Sequence, residues 1–201
     1  MDEQAAMDAT RGWVIGMVIG LNLCPFAHRV AEAGRIRYAA TGAEDAEELL
    51  AALKTELSAL AAAPRSAVET TLLIHPRALA NFSDFNDFLP EADRLVRRIG
   101  LRGVIQVVGF HPAYCFADTP TEGAENYTNR SPYPMLHLLR EESISEVSGD
   151  PAALAAIPRR NIETLRGMGL PAILARFHAS AATSGDSPLP PAATDRIGRN
   201  Q

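Results

Sequence analysis

Apolar residues recur along this chain in two periods, and the switching between them predicts the elements. Glu69 to Ile74 (ETTLLI) and Val104 to Phe110 (VIQVVGF) are short apolar runs, each closed by a His-Pro pair, and read as buried strands. Arg35 to Ala39 alternates polar and apolar residues, the pattern of a half-exposed edge strand. Helical spacing fills the intervals. Leu49, Leu50, Leu53, Leu57 and Leu60 make one apolar stripe over residues 43–63; Phe85, Phe88, Leu89, Ala92, Leu95 and Val96 make another over 84–99. Pro90 is tolerated there only in a first turn or at a break. Strand, helix, strand, helix, strand is therefore the order from residue 35 to 110, and crossovers of that length favour parallel strands. The expected fold class is α/β: a small, mostly parallel sheet of about three strands, residues 104–110 central, flanked by N-terminal and C-terminal helices.

At the N-terminus Trp13, Met17 and Leu21 follow helical spacing behind Thr10 as N-cap, and Gly12, Gly16 and Gly20 give one face for close backbone packing. Ser131-Pro132 opens a further helix expected to reach Val147, and Ile157-Pro158 begins a last one. Beyond His178 the apolar periodicity stops. The 201 residues, 47% apolar, suffice for one core. The expected organisation is a single domain over 10–178, a loose lead over 1–9 and a disordered tail over 179–201.

A net charge of -5 provides no general basic field, so nucleic acid is excluded as a general partner, and the cluster Arg94, Arg97, Arg98 and Arg102 reads as a solvated face. The run Trp13 to Leu21 is too short to span a bilayer, so no membrane anchor is expected. Cys24 and Cys115 are too few for a disulfide framework, which suits a reduced, cytoplasmic setting.

Candidate chemistry collects at the predicted element ends. If the strands are parallel, His75 and His111 leave the sheet at one edge, where open α/β folds place ligands. Asn129 and Arg130 precede the helix expected from Ser131, and together with Arg140 they offer a grip on an anion. His137 and Glu141, four residues apart, would share a helix face, the carboxylate orienting the imidazole. Cys24 is either a nucleophile activated by a histidine in space or a buried residue before a proline; Cys115 reads as packing. Cys24, His75, His111 and His137 admit a zinc site by residue type alone, without ligand spacing, and no cofactor is named by any motif.

Six stretches taken together are more specific: GLNLCPFA (20–27), ETTLLIHP (69–76), FSDFNDFL (82–89), QVVGFHPAYCFA (106–117), NYTNRSPYPMLHLLRE (126–141) and IPRRNIETLRGMG (157–169). In this order and at these intervals the chain resembles the bacterial domain-of-unknown-function family 1415 over roughly residues 10–170. The resemblance implies a cytosolic single-domain bacterial protein and brings no activity with it. Cys115 departs from the family pattern, which has glutamine there.

The expectation is a small-molecule enzyme acting on an anionic substrate. His111 would be general acid or base, His137 with Glu141 its partner and Cys24 the nucleophile, with Asn129, Arg130 and Arg140 holding the substrate. The alternatives are a non-catalytic module binding a small anionic molecule, and a metal-binding protein.

Overall fold

The computed structural model of the chain describes residues 2–143 and 151–182. Helix α1 (Glu3–Trp13) runs into a π-helical segment (Val14–Ile19), followed by α2 (Ala27–Glu32), β1 (Ile36–Ala40), α3 (Ala46–Ala62) and β2 (Thr70–Ile74). Then come α4 (Phe82–Arg98), β3 (Ile105–Phe110), a 3-10 helix (Ala124–Thr128), β4 (Met135–Arg140), α5 (Pro151–Met168) and α6 (Leu170–Ala182).

The sheet has four strands in the order β1-β2-β4-β3, and corrects the expectation of three mostly parallel strands. Only β1 and β2 pair in parallel; β4 runs antiparallel to both β2 and β3. β1, β2 and β3 nevertheless point the same way. The newcomer is β4, read above as a helix. An apolar run as short as MLHLL fits either period, and two flanking ladders decide it: Leu72 and Val108 sit level with His137 on either side. Inserting β4 displaces β3 to the sheet edge, so the strand expected at the centre has Gln106 exposed and Val104 beside it 46% exposed.

Because strand side chains alternate, the sheet has two different faces. Ala39, Leu73, Leu136, Leu138 and Ile105 face α3 and α4, where Leu49, Leu53, Leu57, Phe85 and Leu95 close a continuous core. Leu72, Ile74 and Met135 face the other way, toward Trp13, Met17, Leu165 and Ile173. Asp45 caps α3 by accepting the Glu48 N–H at 2.9 Å, and Asn81 caps α4 through the Ser83 N–H at 2.8 Å. Helix α4 passes through Pro90 without a break. Pro90 and Asn86, whose carbonyl it frees, are both exposed, so water replaces the lost bond while the buried stripe keeps the helix whole.

Helices reach further toward both ends of the chain than the sequence suggests. Of the lead expected over 1–9, residues 2–9 are not loose: α1 starts at Glu3 with Asp2 as its cap, and Ala6 is wholly buried. Thr10 lies inside α1, its hydroxyl donating to the Ala6 carbonyl at 2.8 Å. The glycine face does bring backbones together: a Cβ on Gly16 would lie 2.1 Å from Ser180 Oγ of α6, and Arg176 Nε donates to the Gly16 carbonyl at 2.8 Å. Gly169, at φ +76°, turns α5 into α6, which continues to Ala182, past the expected start of the tail. Residues 183–201 of that tail, and 144–147 of the helix expected to reach Val147, lie outside the described residues.

Candidate functional site

The parallel directions of β2 and β3 bring His75 and His111 to one sheet edge, both packed on Phe85 of α4, at ring distances of 5.8 and 5.1 Å. Gly109 allows this, since a Cβ there would lie 2.8 Å from the Phe85 ring. Both imidazoles are buried on the α3/α4 side and committed to the main chain. Ala113 N–H donates to His111 Nδ1 at 3.0 Å, so Nε2 carries the proton and donates to the Leu79 carbonyl at 3.2 Å. His75 Nδ1 donates to the Ala78 carbonyl at 3.0 Å. Burial lowers both pKa values, that of His75 to about 4, and the pair holds the loop before α4 in its neutral form.

The opposite face carries a cavity of about 660 Å³. Its floor is the row Leu72, His137, Val108 with Thr70 and Gln106 behind; its walls are Trp13 and Val18, the turn at Leu23 and Cys24, and Ile157 and Asn161 of α5. The sequence candidates are divided by this geometry. Cys24, Asn129, His137 and Arg140 line the cavity; His75, His111, Arg130 and Glu141 are not among its lining residues.

His137 is held by the strand and by Thr70. The Thr70 hydroxyl donates to the Leu138 carbonyl at 2.7 Å, so it accepts the His137 Nε2–H at 2.8 Å and leaves Nδ1 as a bare acceptor. Burial lowers this pKa to about 4. The expected helical pairing with Glu141 is replaced by this threonine contact, since β4 is extended and Glu141 begins the next helical turn, its N–H donating to the Val104 carbonyl at 3.0 Å. Met135 and Leu139 share the face of His137.

The two arginines expected to grip an anion serve the backbone. Arg130 donates to the carbonyls of Tyr114 at 3.0 Å and Thr121 at 2.7 Å and lies 4.7 Å over the Tyr127 ring, stapling the 112–128 loop. Arg140 leaves β4 on the α3 side and donates to the carbonyls of Leu60, Ala63 and Val68 at 2.6, 2.7 and 3.3 Å, closing the C-terminal end of α3. Asn129 Oδ1 lies 2.9 Å from the Thr128 hydroxyl, its carbonyl accepts the His111 N–H at 3.1 Å, and the residue lines the cavity.

Cys24 sits where the chain turns into α2. Burial pushes its thiol pKa up, outweighing the N–H groups of Phe26 and Ala27 and the charge of Arg160, which pull it down. Cys115 packs within its loop, its Sγ 3.6 Å from the Thr119 carbonyl. Among the described residues no three metal-ligating side chains converge, and the four residues considered for zinc divide between the two sheet faces.

Sequence reasoning passed over Trp13, Glu69, Thr70 and Asn161. Trp13 entered only through its helical spacing and Asn161 drew no reading of its own; both line the cavity. Burial alone would raise the Glu69 pKa; hydrogen bonds from Ser143 and Arg65 and the charges of Arg65 and Arg35 hold it below the usual value, so this cavity-lining carboxylate is already neutralised.

A family model described as "Protein of unknown function (DUF1415)" matches residues 5–174. The chain belongs to the DUF1415 family. No curated protein and no solved structure matches it. Of the six stretches that carried the resemblance, five supply residues to the cavity of this DUF1415 protein, through Cys24, Thr70, Val108, His137 and Asn161; the sixth, in α4, packs the closed face. Among the described residues of this family member no helix is long and apolar enough to cross a membrane.

Proposed function

We propose that this protein binds a small, mainly apolar molecule in the cavity between the sheet and the α1/α5 layer. The volume is in the range of small-molecule sites, roughly 300–1,000 Å³, and such sites combine apolar walls with a few fixed polar groups. The observation that carries the reading is His137: a neutral imidazole, held through Thr70, with an unused acceptor nitrogen in the floor between Leu72 and Val108. Binding has more support here than catalysis. A thiol held protonated is a weak nucleophile, and an imidazole of pKa about 4 is a weak base at neutral pH. The expected anionic substrate loses its grip, because Arg130 and Arg140 are engaged by carbonyls.

The probe 1-aminoanthracene, uncharged and brighter in apolar surroundings, tests this. Its fluorescence should rise with the native protein and fall back with Val108→Phe, which fills the floor from the edge strand. No rise with the native protein, or an equal rise with the folded variant, overturns the reading.

A further inference from the structure

Strand register gives the cavity a shape. The row Ile36, Thr70, Leu139 and Gln106 lines it across all four strands, about 14 Å at roughly 4.8 Å per strand spacing. In the next row Leu72, His137 and Val108 line it but Tyr38 does not, and in the third only Phe110 does. The cavity is a wedge. Gln106, Val108 and Phe110 follow its length on one face of β3, about 13 Å over four strand rises, and Tyr114 and Phe116, with ring centroids 5.1 Å apart, continue it past the narrow end.

Charge is confined to the broad end. Of the described lining residues Arg29, Glu69 and Arg140 are ionised at neutral pH, while His137 is neutral. Glu69 and Arg140 adjoin the four-strand row in sequence, and Arg29 lies near it, because the carbonyl of its neighbour Val30 accepts the Arg35 N–H at 3.0 Å just before Ile36. Arg29 and Gln106 are exposed, so the wedge opens to water here. Glu69 is answered by Arg35 and Arg65, and Arg140 by three carbonyls; the neighbouring Glu141 and Glu142 do not line the cavity. Arg29 meets no carboxylate or carbonyl among the described residues. The spare charge at the mouth is therefore positive.

Resting on the small-molecule reading above, we propose that the ligand is a chain-like amphiphile, a carboxylate head on an unbranched apolar tail. The head meets Arg29 at the mouth, and the tail follows β3 toward Phe110, Tyr114 and Phe116. The grip that Arg130 and Arg140 do not supply falls to Arg29. At roughly 1.3 Å of advance per staggered C–C bond, the length along β3 corresponds to about ten carbons. A compact molecule of similar size would leave one end of the wedge unfilled, and a cationic head would face the Arg29 guanidinium.

Competition with 1-aminoanthracene at neutral pH tests the proposal. From hexanoate through octanoate to decanoate the affinity should rise about tenfold per two carbons, as buried methylenes require. Adamantane-1-carboxylate, with a similar carbon count folded into a cage, should bind more weakly than decanoate, and decyltrimethylammonium more weakly still. Arg29→Gln, on an exposed side chain that the fold does not use, should weaken octanoate about fivefold and leave 1-octanol unchanged. With 1-aminoanthracene bound, an affinity flat across the alkanoates, a cage that competes as well as decanoate, or an octanoate affinity untouched by Arg29→Gln overturns this inference and leaves the small-molecule reading standing. Tightest binding of decyltrimethylammonium overturns it in favour of a cation. Failure of 1-aminoanthracene itself to bind overturns both.

Discussion

The two faces of one sheet have been finished differently. On the α3/α4 side the leucines and phenylalanines form one continuous core, and even the charged and titratable side chains there, Arg140, His75 and His111, turn to main-chain carbonyls. On the α1/α5 side the same strands present Leu72, Val108 and His137 to a cavity. The titratable side chains on the closed face bond to the main chain, although Thr71 Oγ1, His75 Nε2 and Arg140 Nε lack partners there, whereas on the open face His137 is held by Thr70 with its second nitrogen unused. A reactive residue type therefore says little until its face is known.

The largest effect expected separates the faces through one strand. Leu136 is wholly buried on the closed face and Leu139 half-buried on the open one. Leu136→Ala should cost about 3 kcal/mol, with a cavity left behind, and Leu139→Ala about 1 kcal/mol, since a cavity already adjoins it. Urea midpoints at constant m-value measure both, and equal losses would erase the distinction.

A pH effect comes next. His75 and His137 have folded pKa values lowered to about 4 from an ordinary 6.5, so the unfolded chain binds protons first as pH falls. Their neutral burial costs nothing in protonation above the unfolded value. Stability should decline between pH 6.5 and 4 by up to roughly 1.4 kcal/mol per pH unit for each group. His75, with no exposed surface, should show the full slope, and His137, facing the cavity, a smaller one. His75→Asn should therefore flatten the pH profile of unfolding free energy more than His137→Asn, and the reverse order would place the better-sealed imidazole on the open face.

The smallest effect concerns rate and not stability. With its pKa raised by burial, Cys24 should react with iodoacetamide more slowly than a free thiol at pH 7.5, and accelerate only above pH 9, the ordinary value. Fast alkylation at neutral pH, localised to Cys24 by mass spectrometry, would restore it as a nucleophile and shift the open face toward catalysis.

Much of this architecture was legible in the chain. The leucine stripe of α3, the phenylalanine stripe of α4 and the strands closed by His75 and His111 follow from local period, since burial on one side imposes the spacing. The glycine face of the first helix pointed correctly to a close neighbour, which proved to be α6. Residues 135–140 were misread because a short apolar run has no period of its own, and that error carried His137 with it: a helix would have paired it with Glu141, where the strand pairs it with Thr70, 67 residues away in sequence. The roles of Arg130 and Arg140 were equally hidden, because a guanidinium looks the same in sequence whether it meets a ligand or three carbonyls.

Local sequence thus determined, to within about three residues, where α3, α4, β2 and β3 lie and which residue types gather at one sheet edge, because hydrogen bonding within an element and burial of one side act over a few residues. Tertiary structure alone decided that β4 would enter the sheet, which face each histidine would occupy and which polar atoms would be left over. Those outcomes depend on partners contributed from far along the chain: a strand is settled by its neighbours' ladders, and a donor or acceptor counts as spare only after every competing group has taken its place.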